Sequence, residues 1–184
     1  MILVITGTPG TGKDTIAKEL KRRKGFVWIS LNSLVKKRGL WTEKEGGCLV
    51  VDMKRLEREV NKEIKIDLDK RAKNILIEGH LACELKIPAN ICIVLRTEPG
   101  ALRKRLKKRG YKKEKIEENI FCEELDYCTQ KAENNLSCKI YEVRTDKKIK
   151  ETMKDVEKIL SKNGDYFKAG WVDWSGYLLK RDKI

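Results

Sequence analysis

The chain has 184 residues, 40% of them hydrophobic, which suffices for one sizeable core and points to one domain. Lysine and arginine number 42 against 28 aspartate and glutamate, a formal charge of +14 that favours anionic ligands: nucleotides, RNA or anionic membrane surfaces. No charged segment leads into a long apolar one, no apolar run nears the roughly 18 residues of a membrane helix, and the six cysteines form no C-x-x-C pair.

A cytoplasmic protein is therefore expected, with no membrane partner and no disulfide framework. Cys92, Cys122 and Cys128 read as small buried hydrophobes. The abundance of charged residues also fits a thermophilic surface, so the charge favours an anionic ligand without naming one.

Five short apolar runs read as buried parallel strands: ILVI (2–5), FVWI (26–29), ILIE (75–78), ICIVL (91–95) and IYEV (140–143). Helix-period segments alternate with them. Residues 52–66 place Met53, Leu56, Val60 and Ile64 on one face, with Asp52 as N-cap. The spacing predicts a helix over 113–136, with Ile116, Ile120, Leu125, Cys128 and Ala132 inward, and another over 147–160 through Ile149, Met153, Val156 and Leu160. Such alternation implies a three-layer α/β fold around a five-stranded parallel sheet. The tail from about residue 163 to 184 carries Trp171, Trp174 and Tyr177. It reads as a terminal segment docking aromatics on the body, with a partner-binding role as the second reading.

Between the first strand and the helix that follows lies GTPGTGKDT, residues 7–15. Gly7, Gly10 and Gly12 let a tight loop turn its backbone N–H groups onto phosphate oxygens, and the helix adds its positive end. Lys13 supplies an ammonium for the β/γ-phosphates. The pattern G-x-x-x-x-G-K-[ST] fails only at Asp14, and Thr15 follows it. Asp14 reads first as an acid favoured by the helix dipole and second as a water-mediated metal contact. Strand, loop, lysine and helix together make this a nucleotide site.

Glu78 ends a buried strand, where related folds orient Mg²⁺ and its waters. His80, the single histidine, falls in the crevice at that strand's carboxyl end, as a structural residue or one that positions phosphate or water. From Arg103 to Lys115 nine basic residues face the one acid Glu114. Arg105 and Arg109 share a helical face while Leu102 and Leu106 pack inward. Residues of about 103–113 read as a short lid that brings guanidinium charge to a transferring phosphoryl group, or else as a solvated basic helix or RNA patch.

The loop resembles the adenylate kinase version of the motif, G-x-P-G-x-G-K-x-T. Together with VVDM, the Glu78-Gly79-His80 segment, VLR and RLKKRGYKKEKIEEN, the chain is similar to the adenylate kinase isoenzyme 6 family and its archaeal counterparts. The resemblance implies a P-loop nucleoside monophosphate kinase fold, ATP and Mg²⁺ as cofactors, and Gly10, Gly12, Lys13, Asp14, Thr15 and Arg109 at the ATP site. Thr15, Asp14 and Glu78 would face the metal, and Lys13, Arg109, Glu78 and His80 the chemistry. It also implies ATPase activity and a role in late maturation of the small ribosomal subunit, with a platform ribosomal protein and ribosomal RNA as partners. The family's strand acid is commonly Asp in Asp-x-His; here Glu78 replaces it.

The acceptor arginines of ordinary adenylate kinases are missing, and Lys36 stands near the first of their places, within an acceptor insert of about 30–52. Three functions follow: a broad-specificity monophosphate kinase, an assembly-factor ATPase with residual kinase activity, and a P-loop kinase of another small acceptor.

Overall fold

The five residues Ile2–Thr6 (β1) are all buried, as a strand covered on both faces must be. The computed structural model describes residues 1–45 and 48–181. After β1 the chain runs through a loop into α1 (Lys13–Lys24), β2 (Val27–Ser30), α2 (Leu31–Arg38) and a two-stranded antiparallel ribbon, β3 (Trp41–Glu45) with β4 (Cys48–Val51). Then come α3 (Met53–Asp69), β5 (Ile75–Glu78), a 3₁₀ turn (His80–Glu84), β6 (Ile91–Arg96), α4 (Pro99–Lys108), α5 (Lys113–Glu124) and α6 (Tyr127–Asn135). β7 (Lys139–Arg144), α7 (Ile149–Leu160), a 3₁₀ turn (Asp165–Phe167) and α8 (Ser175–Arg181) complete it.

The five expected strands form one parallel sheet, in the order β2-β5-β1-β6-β7. Its period-2 alternation separates two cores. Ile2, Val4, Ile75, Ile77, Cys92 and Val94 face Leu34, Leu56, Val60, Ile64 and Ala132. Leu3, Ile5, Leu76, Ile93, Leu95 and Val143 face Ile16, Leu20, Met153, Val156 and Ile159. Full burial of each such Val, Leu, Ile or Met side chain contributes roughly 1.5–3 kcal/mol. β1 lies between β5 and β6, so its carboxyl end opens onto a crevice between the connections that follow these strands. The loop after β1 sits there.

Asp52 caps α3 as expected, accepting a bond from Arg55 N at 3.0 Å. Two helices differ from expectation. The single helix expected over 113–136 is broken at Asp126, whose φ is 54°, and Leu125 is 41% exposed rather than inward. Asp is among the residues that tolerate this conformation. Around the break, Glu123, Asp126 and Thr129 all bond Arg96. In α7, Ile149 starts the helix and is 45% exposed, because the buried stripe runs through Thr152, Met153, Val156 and Ile159. Cys92 and Cys128 are buried, whereas Cys122 is only partly covered.

The tail docks, as its aromatics suggested. Trp171 donates Nε1 to the Glu142 carbonyl at 2.8 Å, and Gly170 N and Val172 N donate to Glu142 Oε2 at 3.0 and 3.1 Å. Ala169 N reaches the Ile140 carbonyl at 3.1 Å, and Tyr141 pairs with Lys168, so this segment lies along the outer edge of β7. The last residues of the tail, 182–184, lie outside the described residues.

Candidate active site

The loop from Gly7 to Gly12 is shaped by close approach and unusual backbone angles. Gly7 has φ 136°, and a Cβ there would stand 2.4 Å from the Leu95 carbonyl oxygen, so the loop can cross the end of β6 only with glycine. Gly12 has φ 91° and is the N-cap of α1, with open space where a side chain would be. This aims the first turn of α1 at an open pocket, and unpaired N–H groups at a helix start attract anions.

Lys13 is buried, and its ammonium donates to the carbonyls of Gly7 (2.8 Å) and Thr8 (3.0 Å). Burial lowers its pKa, and Cys128, Glu78, Asp14 and Glu123 oppose that shift. Asp14 and Thr15 are exposed on the first turn. Glu78 is fully buried at the end of β5, and both of its oxygens lack a well-formed hydrogen bond. Burial, then the charge of Asp14, pushes Glu78 up to about 7, with Lys13 and Ser30 pulling the other way. Burial and then the positive charges of Lys13 and Lys115 bring His80 down to about 4, so its imidazole is neutral at pH 7. Its carbonyl accepts the Thr6 hydroxyl at 3.1 Å.

Three cavities meet at the loop. One of about 410 Å³ is walled by Gly10, Gly12, Lys13, Asp14, Thr15, Glu78, His80, Arg109 and Tyr111, among others. A second, of about 220 Å³, lies on the other side of Arg109 and adds Arg105, Thr145 and Lys147. A third, of about 680 Å³, reaches under α2 and the ribbon and includes Asn32, Lys36, Met53, His80, Tyr111 and Asn119. The structure thus gathers Gly10, Gly12, Lys13, Asp14, Thr15, Glu78, His80 and Arg109 around one cavity. Lys36 stands apart from that cavity, in the wall of its larger neighbour.

The two arginines expected to serve a lid have different surroundings. Arg105 Nη1 reaches Thr145 Oγ1 (3.2 Å), Thr97 Oγ1 (3.3 Å) and the Gly10 carbonyl (3.4 Å), and its Nη2 donates to the Thr145 carbonyl. It is fastened beneath the loop. Arg109 caps the end of α4 and stands exposed between two cavities. Leu102 and Leu106 are fully buried against Ile116 and Ile120, so α4 and α5 form a helical hairpin with its own small core.

Sequence reasoning missed Thr97 and Thr145, Tyr111 in the turn between α4 and α5, and the buried partners Arg96 and Glu123. The threonines each follow a strand's carboxyl end, where α/β ligand sites gather, and that position could have flagged them. Arg96 ends β6 and shares that position, but the partners that bury it lie 27 to 46 residues away and give no local signal.

A parallel sheet with a glycine-rich loop at β1, a lysine under that loop and a basic helical hairpin above it defines a P-loop phosphotransferase architecture. The profile of the AAA-domain family matches residues 3–126. A protein described as "Putative adenylate kinase" from Methanocaldococcus jannaschii is 36% identical over 182 residues, covering 95% of this chain and 93% of the relative. A protein of the same description from Methanosarcina barkeri is 37% identical over 184 residues, covering 95% and 97%. The chain belongs to this family of archaeal P-loop proteins. Its fold also matches a deoxyadenosine kinase from M. mycoides with bound dATP (TM-score 0.55, 17% identity, 88% of this chain and 100% of that one). Shikimate kinase from Bacteroides thetaiotaomicron is similar too (TM-score 0.56, 15% identity, 88% and 98%). Among the described residues no helix is long and apolar enough to cross a membrane.

Proposed function

We propose that this protein transfers the γ-phosphoryl group of ATP to a nucleoside monophosphate, accepts AMP, and hydrolyses ATP when the acceptor place holds water. The observation that carries this reading is the pair of adjoining cavities. The phosphate cavity and its larger neighbour share Pro9, Asn32, His80 and Tyr111, so molecules in each would meet across a common boundary. The larger one has apolar walls from Leu31, Val35, Leu49, Val51 and Met53, suited to a nucleoside, and Lys36 and Lys115 as cations for its phosphate. The archaeal relatives' description supports the same reaction.

Phosphoryl transfer asks a protein mainly for positioning and charge. Lys13 and the loop N–H groups hold the β- and γ-phosphates, while Thr145 and Lys147 line the cavity left for the rest of ATP. Arg109 would meet the charge that builds on the transferring group. His80, neutral, offers one donor and one acceptor for orienting the acceptor or a water.

The residues present fit Mg²⁺. No group of three His, Cys, Asp or Glu side chains among the described residues could hold a metal alone, which suits an ion carried largely by phosphates and water. Glu78, buried with unsatisfied oxygens, and Asp14 and Thr15 beside it are the residues that would face the ion or its waters. When bound, Mg²⁺ neutralises phosphate charge. A cytoplasmic location suits both ATP and the ion.

A second reading is an assembly-factor ATPase in small-subunit maturation, with a platform ribosomal protein and ribosomal RNA as partners. It is favoured by the absence of arginine among the described residues lining the acceptor cavity, by the +14 charge and by the sequence resemblance. A lysine gives no bidentate grip, which weakens monophosphate selection. Both readings are tested by measuring ADP formation from ATP alone, with each monophosphate, and with purified small subunits. Stimulation by AMP establishes the kinase; stimulation only by subunits establishes the second reading; neither would overturn both.

A further inference from the structure

We propose that Glu123 is a positioning residue for the phosphate loop, acting through Thr8 on Lys13; the inference rests on reading residues 7–15 as a nucleotide-phosphate loop. Glu123 is 2% exposed, and its two oxygens have separate partners. Oε1 accepts from Arg96 Nε (2.9 Å), Thr97 N (3.0 Å) and Trp174 Nε1 (3.4 Å). Oε2 accepts from Thr8 Oγ1 at 2.5 Å. One oxygen thus anchors the carboxylate in the body, and the other reaches 115 residues back along the sequence to the loop.

Thr8 is itself a junction. Its carbonyl accepts from Lys13 Nζ (3.0 Å), Thr11 N (3.2 Å) and Thr11 Oγ1 (2.9 Å). Fixing its side chain therefore fixes the carbonyl that holds the ammonium. A carboxylate is a strong acceptor for this task, since bonds to ionised groups are about twice as strong as neutral ones. An unbalanced carboxylate under a phosphate site would repel the ligand. Arg96, bonded to the same carboxylate, offsets that charge. Arg96 also has Glu142 and Asp126 as partners, so holding Arg96 does not by itself require the oxygen given to Thr8.

The test compares Thr8→Val, Thr8→Ser, Glu123→Gln and the Thr8→Val/Glu123→Gln pair, each in the full chain. ATP affinity by calorimetry, kcat and KM with AMP, and melting temperature are measured. Thr8→Val should lower kcat about 10-fold or more, with a smaller change in KM, because a misplaced reacting group loses rate first. It should also lower melting by several degrees, because the buried Glu123 oxygen loses its donor. Thr8→Ser keeps the hydroxyl and should recover to within about threefold. The paired variant should be little worse than its worse member, as expected for residues acting in one chain of contacts. If Glu123→Gln fails to fold, the Thr8 pair decides alone. Parental kinetics and ATP affinity in Thr8→Val, equal losses in Val and Ser, or multiplying effects in the pair would overturn the proposal. If the parent phosphorylates no monophosphate, ATP affinity is the readout, and the kinase reading fails separately. A parent that binds no ATP overturns both.

Discussion

Replacing Arg96 by methionine should destabilise the protein severely. The guanidinium is 1% exposed and bonds Glu123, Glu142, Asp126, Thr129 and the Glu123 carbonyl. Burial opposes its charge, but Glu123, Glu142 and Asp126 outweigh that and raise its pKa above the ordinary arginine value. Without it, Glu123 and Glu142, with side chains only 2% and 1% exposed, become buried carboxylates that have lost their directly bonded cation. Breaking a buried pair in this way costs about 3–5 kcal/mol, a large part of the roughly 5–15 kcal/mol that a domain has. At about 2–4 °C per kcal/mol for this size, melting should fall by about 6–20 °C. Urea unfolding at pH 7.5 provides the check. A loss under about 1 kcal/mol would refute the claim that Arg96 balances buried charge.

Lys13→Ala should abolish monophosphate kinase and ATPase activity while circular dichroism stays native; undiminished turnover would sink the phosphate-loop assignment. Arg109→Ala should reduce kcat by about 10²-fold or more with a lesser effect on ATP affinity, whereas loss of affinity alone would mean a ground-state role. The single imidazole gives a clean NMR titration: His80 should stay neutral down to about pH 5, and a midpoint near its ordinary value of 6.5 would contradict its burial. Glu78, raised to about 7 from 4.5, should make the metal-free protein lose stability as pH climbs across that interval, because the folded state keeps the proton longer. Glu78→Gln should flatten that slope, whose limit is about 1.4 kcal/mol per pH unit; an unchanged slope would assign it to other groups.

The strands were legible because each is a short apolar run, and the central ones are covered on both faces, as Leu76 and Ile77 show, one in each core. The phosphate loop was legible because its residues are consecutive. What the sequence hid depends on contacts between distant residues. The break at Asp126 answers to Arg96, 30 residues away, and nothing in the local periodicity of 113–136 reports it. Ile149 was misplaced for another reason: a helix's first residue shares the period of the stripe without reaching the sheet. The ribbon of β3 and β4 escaped notice because β3, WTEKE, is mostly polar and charged, which leaves the apolar run CLVV without an evident partner strand in the sequence. At the site, Lys13 and Glu78 announced themselves by motif and position. Glu123 did not, since a glutamate on a charged helix looks like surface until its partners are known.

The segment along β7 also bears on how the chain is made. A sheet edge with unpaired N–H and C=O groups is a template for joining other strands. Here residues 168–172 cover that edge through the Ala169 bond to the Ile140 carbonyl, the Tyr141–Lys168 pair and the Trp171 indole on the Glu142 carbonyl, with the Glu142 carboxylate holding Gly170 N and Val172 N. These residues leave the ribosome after the strand they protect. During synthesis the edge therefore stands open until the covering segment emerges, and proteolysis near Asn163 would open it again. Solubility of the nascent or clipped chain then depends on a segment that contributes no side chain to the phosphate cavity.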